Sequence, residues 1–319
     1  MTVWRGALVL AVVAIAGALQ AQSPSPEPSF FVRGLDDLRD RREAGSALLD
    51  TPMLPGSVVK AVSLVAAIES GVLRADSARV CRRVSTVDGH RFECAHPDLK
   101  RALTPAEALA YACEDFFASL APRLSREALN RTRLAAGLPP IASSTPLATA
   151  IAGLAGPTTT PRALIGVLAR LTGVGGDPAV PMNAATRAVL RDGLRGAAEY
   201  GTASALKAAG LTALASTAAS TAPGGTPLAL AVALVPADNP TRGIVVATPA
   251  GRGVDAAAIA ANILSPGTLA PREALAPIRL GRTQANGKTR VETIPVDDYI
   301  AQVLAGEGQP RAGAAAPEA

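Results

Sequence analysis

Two residues with the chemistry of a nucleophile and its base stand three positions apart near the start of an apolar segment. Ser57 and Lys60 lie in "LDTPMLPGSVVKAVSLVAAIESGVL", directly behind a Pro-Gly turn. If Ser57 occupies the first turn of a helix, Lys60 lies on the same face one turn later, where its amine can take the hydroxyl proton. Burial among the neighbouring valines favours the neutral amine. The alternative is an ordinary helix start with a capping serine and an exposed lysine, because the bare motif has little specificity.

Composition restricts the kinds of partner. The 319 residues are 49% apolar but only 3% aromatic, so we expect cores of Leu, Val and Ala and few aromatic side chains for stacking nucleic-acid bases. The net charge of +5 is spread along the chain without a block of Lys or Arg. This pattern favours general attraction to anionic surfaces, and we predict no nucleic-acid partner.

The first 22 residues have the pattern of a secretory signal. Arg5 precedes an apolar run over residues 6–19, and small and polar residues follow around Ala21. An uncleaved signal anchor is the alternative, and it is the only membrane attachment that we expect, because the apolar run is short for a membrane span. We therefore predict an exported protein, periplasmic or on the cell surface, in a compartment where disulfides form.

Three cysteines allow more than one arrangement. "CRRVSTVDGHRFEC" predicts two short strands around an Asp-Gly turn, which would place Cys81 opposite Cys94 and allow a disulfide, while Cys113 stays free. Two plain buried thiols are a second interpretation. A third is a metal site of Cys81, His90, Cys94 and His96, but this spacing matches no familiar zinc pattern. We predict the disulfide, no metal site and no cofactor.

Residues 47–250 alternate between helical and extended patterns, after a linker and short strand over residues 23–46. Thr104 and Glu107 form a capping box, and "TPRALIGVLARLTGVGG" is a helix opened by Thr-Pro and ended by glycines. "LALAVALVPADNPTRGIVVATP" predicts an antiparallel strand pair. The expected fold class is α+β, a helical core packed on an antiparallel sheet.

The composition changes after residue 250. Residues 251–275 contain a small helix and a loose linker, and residues 276–319 begin a further unit with an Asn286-Gly287 hairpin signal followed by a helix near Val296. About forty residues are too few to bury a useful core alone, so we expect this unit to be partial.

The order of the motifs resembles that of penicillin-binding transpeptidases and the related serine β-lactamases. "PGSVVK" is similar to that family's first motif, and the similarity continues through "LTPAEALAYACEDFFASLA", "AATRAVLRDGLRGAAEYGTASAL" and "ALVPADNPTRGIVVA" over roughly 200 residues. The resemblance implies a transpeptidase-like fold, Ser57 as nucleophile and Lys60 as its base. It also implies peptidoglycan or its stem peptides as partners, with β-lactams as further ligands.

The chain departs from the family's two other motifs. In the family, Ser-x-Asn relays a proton and holds the substrate amide, and Lys-Thr-Gly attracts the substrate carboxylate beside the oxyanion hole. The matching positions are Ala112, Cys113 and Glu114 for the second motif and Ser216, Thr217 and Ala218 for the third. Of these, Cys113, Glu114, Ser216 and Thr217 are expected to contact the ligand. Loss of a proton carrier typically costs ~10²–10⁴ in rate, and loss of an oxyanion-hole or charge contact roughly 10²–10³. Slow turnover or none is therefore expected.

The segment "VETIPVDDYIAQVLAGEGQP" resembles the start of the sporulation stage II protein D (SpoIID/LytB) domain, whose members bind or cleave glycan strands of peptidoglycan. The resemblance places Glu307 as the acid for glycan cleavage. The alternative is that Asp297, Asp298 and Glu307 form a solvated helix face. A single carboxylate is too little for ordinary glycoside hydrolysis, and only the start of that domain is present, so we expect no activity here.

Two functional hypotheses follow. The first is an exported cell-wall protein with a degenerate transpeptidase-like domain that acts in peptidoglycan binding or remodelling with a SpoIID-type domain. The second is a slow serine acyltransferase, D,D-carboxypeptidase or β-lactamase-like enzyme that uses Ser57 and Lys60.

Overall fold

A five-stranded antiparallel sheet with helices on both faces forms the centre of the molecule in the computed structural model. The structure describes residues 27–35, 41–176, 178–222, 224–249, 251–268, 278–283 and 289–294. The predicted α+β class, a helical core on an antiparallel sheet, is confirmed. The strands are β1 (Ser29–Gly34), β2 (Arg42–Ala44), β3 (Arg79–Val80), β4 (Val84–Val87), β5 (His90–Glu93), β6 (Ala102–Leu103), β7 (Leu214–Thr221), β8 (Pro227–Val235), β9 (Arg242–Pro249), β10 (Ile278–Thr283) and β11 (Thr289–Ile294).

Ten α-helices lie in the described residues, and a 3₁₀ turn at Gly56–Val58 leads into the second of them. They are α1 (Ser46–Leu49), α2 (Val59–Glu69), α3 (Pro105–Ala110), α4 (Glu114–Ala118), α5 (Arg126–Ala135), α6 (Leu147–Ala152), α7 (Pro161–Thr172), α8 (Ala184–Glu199), α9 (Ala205–Ala208) and α10 (Gly253–Leu264). None of the described helices is both long enough and apolar enough to cross a membrane.

The central sheet has the strand order β2-β1-β9-β8-β7. Strands β8 and β9 pair antiparallel with Val232 opposite Val245, which confirms the predicted strand pair. Strand β1 joins the same sheet through β9, with Phe31 opposite Val245. Residues 23–46, where a linker and a short strand were expected, thus contribute β1 to the central sheet, and Phe31 and Val32 of this strand are buried.

Side chains of β8 alternate between two apolar cores. Leu228, Leu230 and Leu234 enter the core shared with α2 and α7, whereas alanines at the intervening positions enter a second core that contains α10. Because successive side chains of a strand point to opposite faces, β8 presents leucines to one core and alanines to the other, where they face α10. Helix α10 therefore packs on the sheet, although the sequence places it in a linker region. The domain boundaries themselves stay predictions.

The helix ends follow the predicted capping. Thr104 and Glu107 form both hydrogen bonds of a capping box at the start of α3. The Thr160 side chain accepts from the Ala163 amide at the start of α7, and Gly173 ends that helix with a left-handed backbone. Both predictions are confirmed. Capping could be predicted from the sequence because it depends on residues that are close together in the chain.

Both predicted hairpins form antiparallel strand pairs. Val84 pairs with Glu93 and Val87 with His90 in β4 and β5. Strands β10 and β11 pair from Ile278 opposite Ile294 onwards. The signal segment, the Asn-Gly turn and the acidic residues assigned to the SpoIID-like unit, Asp297, Asp298 and Glu307, lie outside the described residues.

Candidate functional site

Ser57 lies in the 3₁₀ turn Gly56–Val58 and is half-buried. The turn packs directly on strand β7, since a Cβ atom added to Gly56 would lie 2.4 Å from the Ala219 carbonyl oxygen and 2.6 Å from Ala218 Cβ. Gly56 also has φ +55°, in the left-handed region that favours glycine. Glycine is required here for both reasons, and it brings the Ser57 backbone close to the edge of the sheet.

Lys60 is a buried cation in the first turn of α2. Its side chain is 0% exposed, and its Nζ donates to the Ala112 carbonyl oxygen at 2.8 Å and to Glu114 Oε1 at 2.5 Å. The ammonium also lies 5.8 Å from the centre of the Phe117 ring. Ser57 is not among the hydrogen-bond partners of Lys60 in the described part of the chain. The two residues share one face of the helix start, but Lys60 is engaged by the α3–α4 loop.

A sharp break between α3 and α4 places these two acceptors. Helix α3 ends at Ala110 with Tyr111 as its C-cap, and Ala112 adopts φ +50°, an unusual conformation for a residue with a Cβ atom. The Cys113 amide donates back to the Ala108 carbonyl at 2.9 Å, and α4 starts at the next residue with Glu114 in its first turn. The turn exposes the Ala112 carbonyl to Lys60. Such a backbone conformation costs on the order of 1–3 kcal/mol and persists where surrounding contacts hold it.

The positions matched to the third motif lie on β7, the strand beside Ser57. Ser216 and Ala218 alternate with Thr217, so they face the side of the sheet that contacts the Ser57 turn. Thr217 faces the other side, against Gly253 at the start of α10. Ser216 and Thr217 are both buried. Strand β7 contains no lysine or arginine, so it offers no cation for a substrate carboxylate.

The cysteines gather behind the α3–α4 loop. Cys81 Sγ lies 3.5 Å from Cys94 Sγ, and Cys94 Sγ lies 3.7 Å from Cys113 Sγ. All three are free thiols in the structure, and the predicted disulfide between Cys81 and Cys94 stays a prediction. The Cys113 side chain, which the motif alignment assigned to ligand contact, is fully buried in this cluster. His96 joins the cluster, whereas His90 is exposed on the hairpin.

Asp115 ties the same loop to the β4–β5 hairpin region. It is fully buried, and it accepts from the Arg82 backbone at 3.1 Å and from the Arg82 guanidinium at 3.1 Å. Burial raises the pKa of Asp115, but the Arg82 hydrogen bonds and the charge of Arg79 act in the opposite direction, and the pKa lies below its ordinary value. The carboxylate is therefore a charged structural link.

Two surface cavities lie away from Ser57. One, of about 320 Å³, opens between α2 and α5 beside Glu69 and Arg131. The other, of about 470 Å³, is lined by Leu73, Arg79 and Phe116 among others. Neither has a lining residue in the Ser57 turn or in β7, so the candidate site rests on the side-chain geometry around Ser57 and Lys60.

Comparisons with known proteins agree with this geometry. Residues 16–138 match the family model of the penicillin binding protein transpeptidase domain. The D,D-transpeptidase domain of a peptidoglycan glycosyltransferase from Eggerthella lenta aligns with a TM-score of 0.60 at 17% identity, over 76% of this chain and 77% of that chain. Penicillin-binding protein 2B from Streptococcus pneumoniae aligns with a TM-score of 0.59 at 17% identity, over 75% of this chain and 54% of that chain.

A third structure, Pseudomonas aeruginosa PBP2 in complex with WCK 5153, aligns with a TM-score of 0.57 at 15% identity, over 79% of this chain and 74% of that chain. No curated protein matches the sequence. The fold is that of a penicillin-binding protein transpeptidase domain.

The sequence indicated the Ser57–Lys60 pair but not the residues that engage Lys60. The motif comparison predicts that Glu114 contacts a ligand and that Ala112 replaces a serine. The only local signal is an acidic residue two positions after Ala112 at a helix start. Sequence spacing alone does not show that these positions meet, because 54 residues separate Lys60 from Glu114.

Proposed function

We propose that this chain is an exported cell-wall protein whose transpeptidase-like domain binds peptidoglycan, through its stem peptides, and has lost most or all of its acyl-transfer activity. The observation that carries the proposal is the engagement of Lys60 by Glu114 Oε1 at 2.5 Å and the Ala112 carbonyl at 2.8 Å. The ligand class is inferred from the fold.

A general base must offer a lone pair to the proton that it removes. Lys60 Nζ instead donates to the Glu114 carboxylate and the Ala112 carbonyl, so its hydrogens are engaged by acceptors on the α3–α4 loop. Its partner Glu114 stands at the motif position where the family has a neutral asparagine. Exchanging a neutral amide for a carboxylate therefore turns a candidate base into one half of an ion pair.

Ligand capture is weakened at β7, the strand beside the Ser57 turn. Ser216 occupies the place of the lysine that would attract a ligand carboxylate, and β7 supplies no other cation. A hydrogen bond to a charged group is worth roughly 1.5–3 kcal/mol, which corresponds to about tenfold to hundredfold weaker capture. The two changes act on different steps, capture and proton removal, so their effects multiply.

A slow serine acyltransferase is the second candidate. It is favoured by the partial exposure of Ser57, which is half-buried and lies beside the backbone of β7, so a ligand can reach its side chain. In this hypothesis Ser57 would still attack a strained amide placed against it. The rate would be limited by how often the contact between Lys60 and Glu114 opens.

Intact-mass measurement after incubation with excess penicillin separates the two candidates. We expect less than about a tenth of the natural protein to become acylated over hours, because proton removal and capture are both impaired. Ser57→Ala is the test variant, and Ser70→Ala, at the end of the same helix, is the matched control. Rapid stoichiometric labelling would contradict the loss of activity, and labelling that persists in Ser57→Ala would exclude Ser57 as the nucleophile.

Restoring the motifs is the complementary experiment. Glu114→Asn, alone and combined with Ala112→Ser, Ser216→Lys and Ala218→Gly, should increase the rate of acylation, by at least about tenfold for the combined variant. Circular dichroism and thermal unfolding check that each variant is folded. A folded combined variant that labels no faster than the natural protein would contradict the motif alignment.

The remaining parts of the proposal concern the two ends of the chain. Residues 1–22 would direct export, and residues 276–319 would begin a SpoIID-like unit with Glu307 at its acid position. Fractionation of a bacterial host that expresses the chain tests export, because a protein retained in the cytoplasm with its first residues intact would refute it. A pull-down of the chain on purified peptidoglycan, with and without residues 276–319, tests the second unit. Equal binding of both forms to peptidoglycan would contradict a role of residues 276–319 in that binding.

A further inference from the structure

Four side chains that commonly bind metals converge behind the α3–α4 loop. They are Cys81, Cys94, His96 and Cys113, and their ligand atoms all lie within 4.8 Å of one another. Three of the four are buried, and Cys81 is half-buried. Two come from the β4–β5 hairpin region, His96 follows it, and the fourth comes from the loop that engages Lys60. The fold therefore brings together residues that are up to 32 positions apart.

The sulfur separations fit tetrahedral thiolate coordination. Zinc–sulfur bonds of ~2.3 Å at tetrahedral angles place neighbouring sulfurs about 3.8 Å apart. The Cys81–Cys94 and Cys94–Cys113 separations are 3.5 and 3.7 Å, against about 2.05 Å for a disulfide. Three cysteines and one histidine are a frequent donor set of structural zinc sites, and soft sulfur ligands disfavour magnesium or calcium.

The histidine has one nitrogen occupied and one without a partner. His96 is only 7% exposed, and its Nδ1 lies 2.8 Å from the Pro97 carbonyl oxygen, to which Nδ1–H can donate. Its Nε2 is buried and has no hydrogen-bond partner. Metal-bound histidines typically donate their second ring nitrogen to a carbonyl or carboxylate in this way, which leaves the other lone pair for the metal. A buried polar atom without a partner is otherwise costly.

Backbone amides and a guanidinium would stabilise thiolates at this place. The Arg83 amide donates to Cys81 Sγ at 3.3 Å, and the Asp115 amide donates to Cys94 Sγ at 3.4 Å. The Arg83 guanidinium donates to the His96 carbonyl oxygen. Donors aimed at sulfur and a nearby positive charge favour negatively charged ligands.

We propose that Cys81, Cys94, His96 and Cys113 bind one Zn²⁺ ion that fixes the loop holding Lys60. On binding, three thiol protons leave to solvent, and three Zn–S bonds and one bond to neutral His96 Nε2 form, which gives a site of net charge −1 without any redox change. Cys113 stands between Ala112 and Glu114, the two partners of Lys60. The metal would therefore position both acceptors. This inference does not depend on the proposed function.

Zinc content is the direct test. The purified full chain, reconstituted with ZnCl₂ under reducing conditions and dialysed, should contain about one zinc per chain by inductively coupled plasma mass spectrometry. His96→Ala and Cys113→Ser should each bind at least about tenfold less. His90→Ala is the matched control, because His90 is an exposed histidine on the adjoining hairpin, and it should retain full zinc.

Two measurements on the protein with its natural sequence test the zinc site without variants, which can fail to fold. Co²⁺ in place of zinc should give the intense visible absorption of a tetrahedral thiolate site, and chelation of zinc should lower Tm and increase amide hydrogen exchange over residues 108–119. A natural protein that binds no zinc, or one with a single free thiol and a Cys81–Cys94 disulfide that persists under the reducing conditions, would overturn the proposal. Equal zinc loss in His90→Ala would also overturn it.

Discussion

The two faces of the central sheet are filled by different kinds of side chain. On one face, α10 packs its buried alanines on the alanines of β8, and no hydrogen bond is needed there. On the other face, the layer around α2 buries Lys60 and Ser63, each held by hydrogen bonds to distant segments. Apolar side chains need only complementary shapes to pack, whereas buried polar groups need specific hydrogen-bond partners.

This difference coincides with the location of the candidate site. Ser57, Lys60, Glu114 and the cysteine cluster all lie on the polar face or behind it, whereas Thr217, also expected to contact a ligand, faces α10. Burying a charge costs desolvation free energy, so each buried charge on this face needs a partner: Lys60 has Glu114, and Asp115 has Arg82. If the two faces differ energetically as well as chemically, substitutions on each face should change the free energy of unfolding for different reasons.

The largest expected effect is on the polar face. Glu114→Gln leaves the Lys60 ammonium buried without a carboxylate, because the Lys60 side chain is 0% exposed and that of Glu114 is 19% exposed. We expect the free energy of unfolding to fall by about 3 kcal/mol, the lower end of the range for breaking a buried pair. Urea denaturation measures this change.

A double-mutant cycle separates the pair from other effects. Lys60→Met combined with Glu114→Gln removes both charges, so it should be clearly more stable than the sum of the single changes predicts, by at least about 1 kcal/mol. Glu127→Gln, in an exposed pair with Arg131, is the control and should have little effect. Strictly additive changes would mean that Lys60 and Glu114 do not interact in solution.

The next effect is on the α10 face, where shape alone matters. Ala260 is 1% exposed in the alanine layer, so Ala260→Leu must push α10 away from the sheet. Overpacking of this kind costs about 1–3 kcal/mol. Ala258→Leu, at a half-buried position of the same helix, should change stability by less than about 0.5 kcal/mol. If both variants unfold at the same urea concentration as the natural protein, α10 is not packed on β8 as described.

The sequence predicted what depends on neighbouring residues and failed where distant segments meet. Capping of α3 and α7 and the pairing of β8 with β9 follow from local composition, and each was anticipated. The resemblance places the second motif on a loop before "FF", but the left-handed backbone of Ala112 has no compositional signal, because the residue is not a glycine. The pairing of β1 with β9 and the proximity of Cys113 to Cys81 depend on chain topology, which the spacing of residues in the sequence does not encode.

The same limit explains the incomplete view of the site. Ser57 and Lys60 could be paired from their spacing, since three residues span one helical turn. The partner of Lys60 could not be found in this way, because Glu114 reaches it only after α3 and α4 fold against α2. The local pattern indicated a candidate nucleophile, Ser57, and a candidate base, Lys60, and only the tertiary structure showed that Lys60 is paired with Glu114.

The smallest expected effect concerns a helix start close to the polar face, and it depends on pH. A hydrogen bond from Arg101, assisted by the Thr104 amide and hydroxyl, outweighs burial and lowers the pKa of Glu107 to about 2, from an ordinary value of 4.5. A lowered pKa means that the charged form is stabilised in the folded state. This contribution is complete above about pH 4.5 and is lost as pH falls from there towards 2.

Glu107→Gln should therefore lower the free energy of unfolding by about 1 kcal/mol at pH 6, and the difference from the natural protein should shrink as pH approaches 3, where the natural carboxylate is losing its advantage. Thr104→Ala removes the other half of the capping box and should cost about as much at pH 6, because the Glu107 amide then loses its acceptor. Urea titrations at several pH values between about 3 and 6 provide the measurement. A Glu107→Gln deficit that stays constant over this range would show that the contribution is not the charge of Glu107, and the capping box would then act through geometry alone.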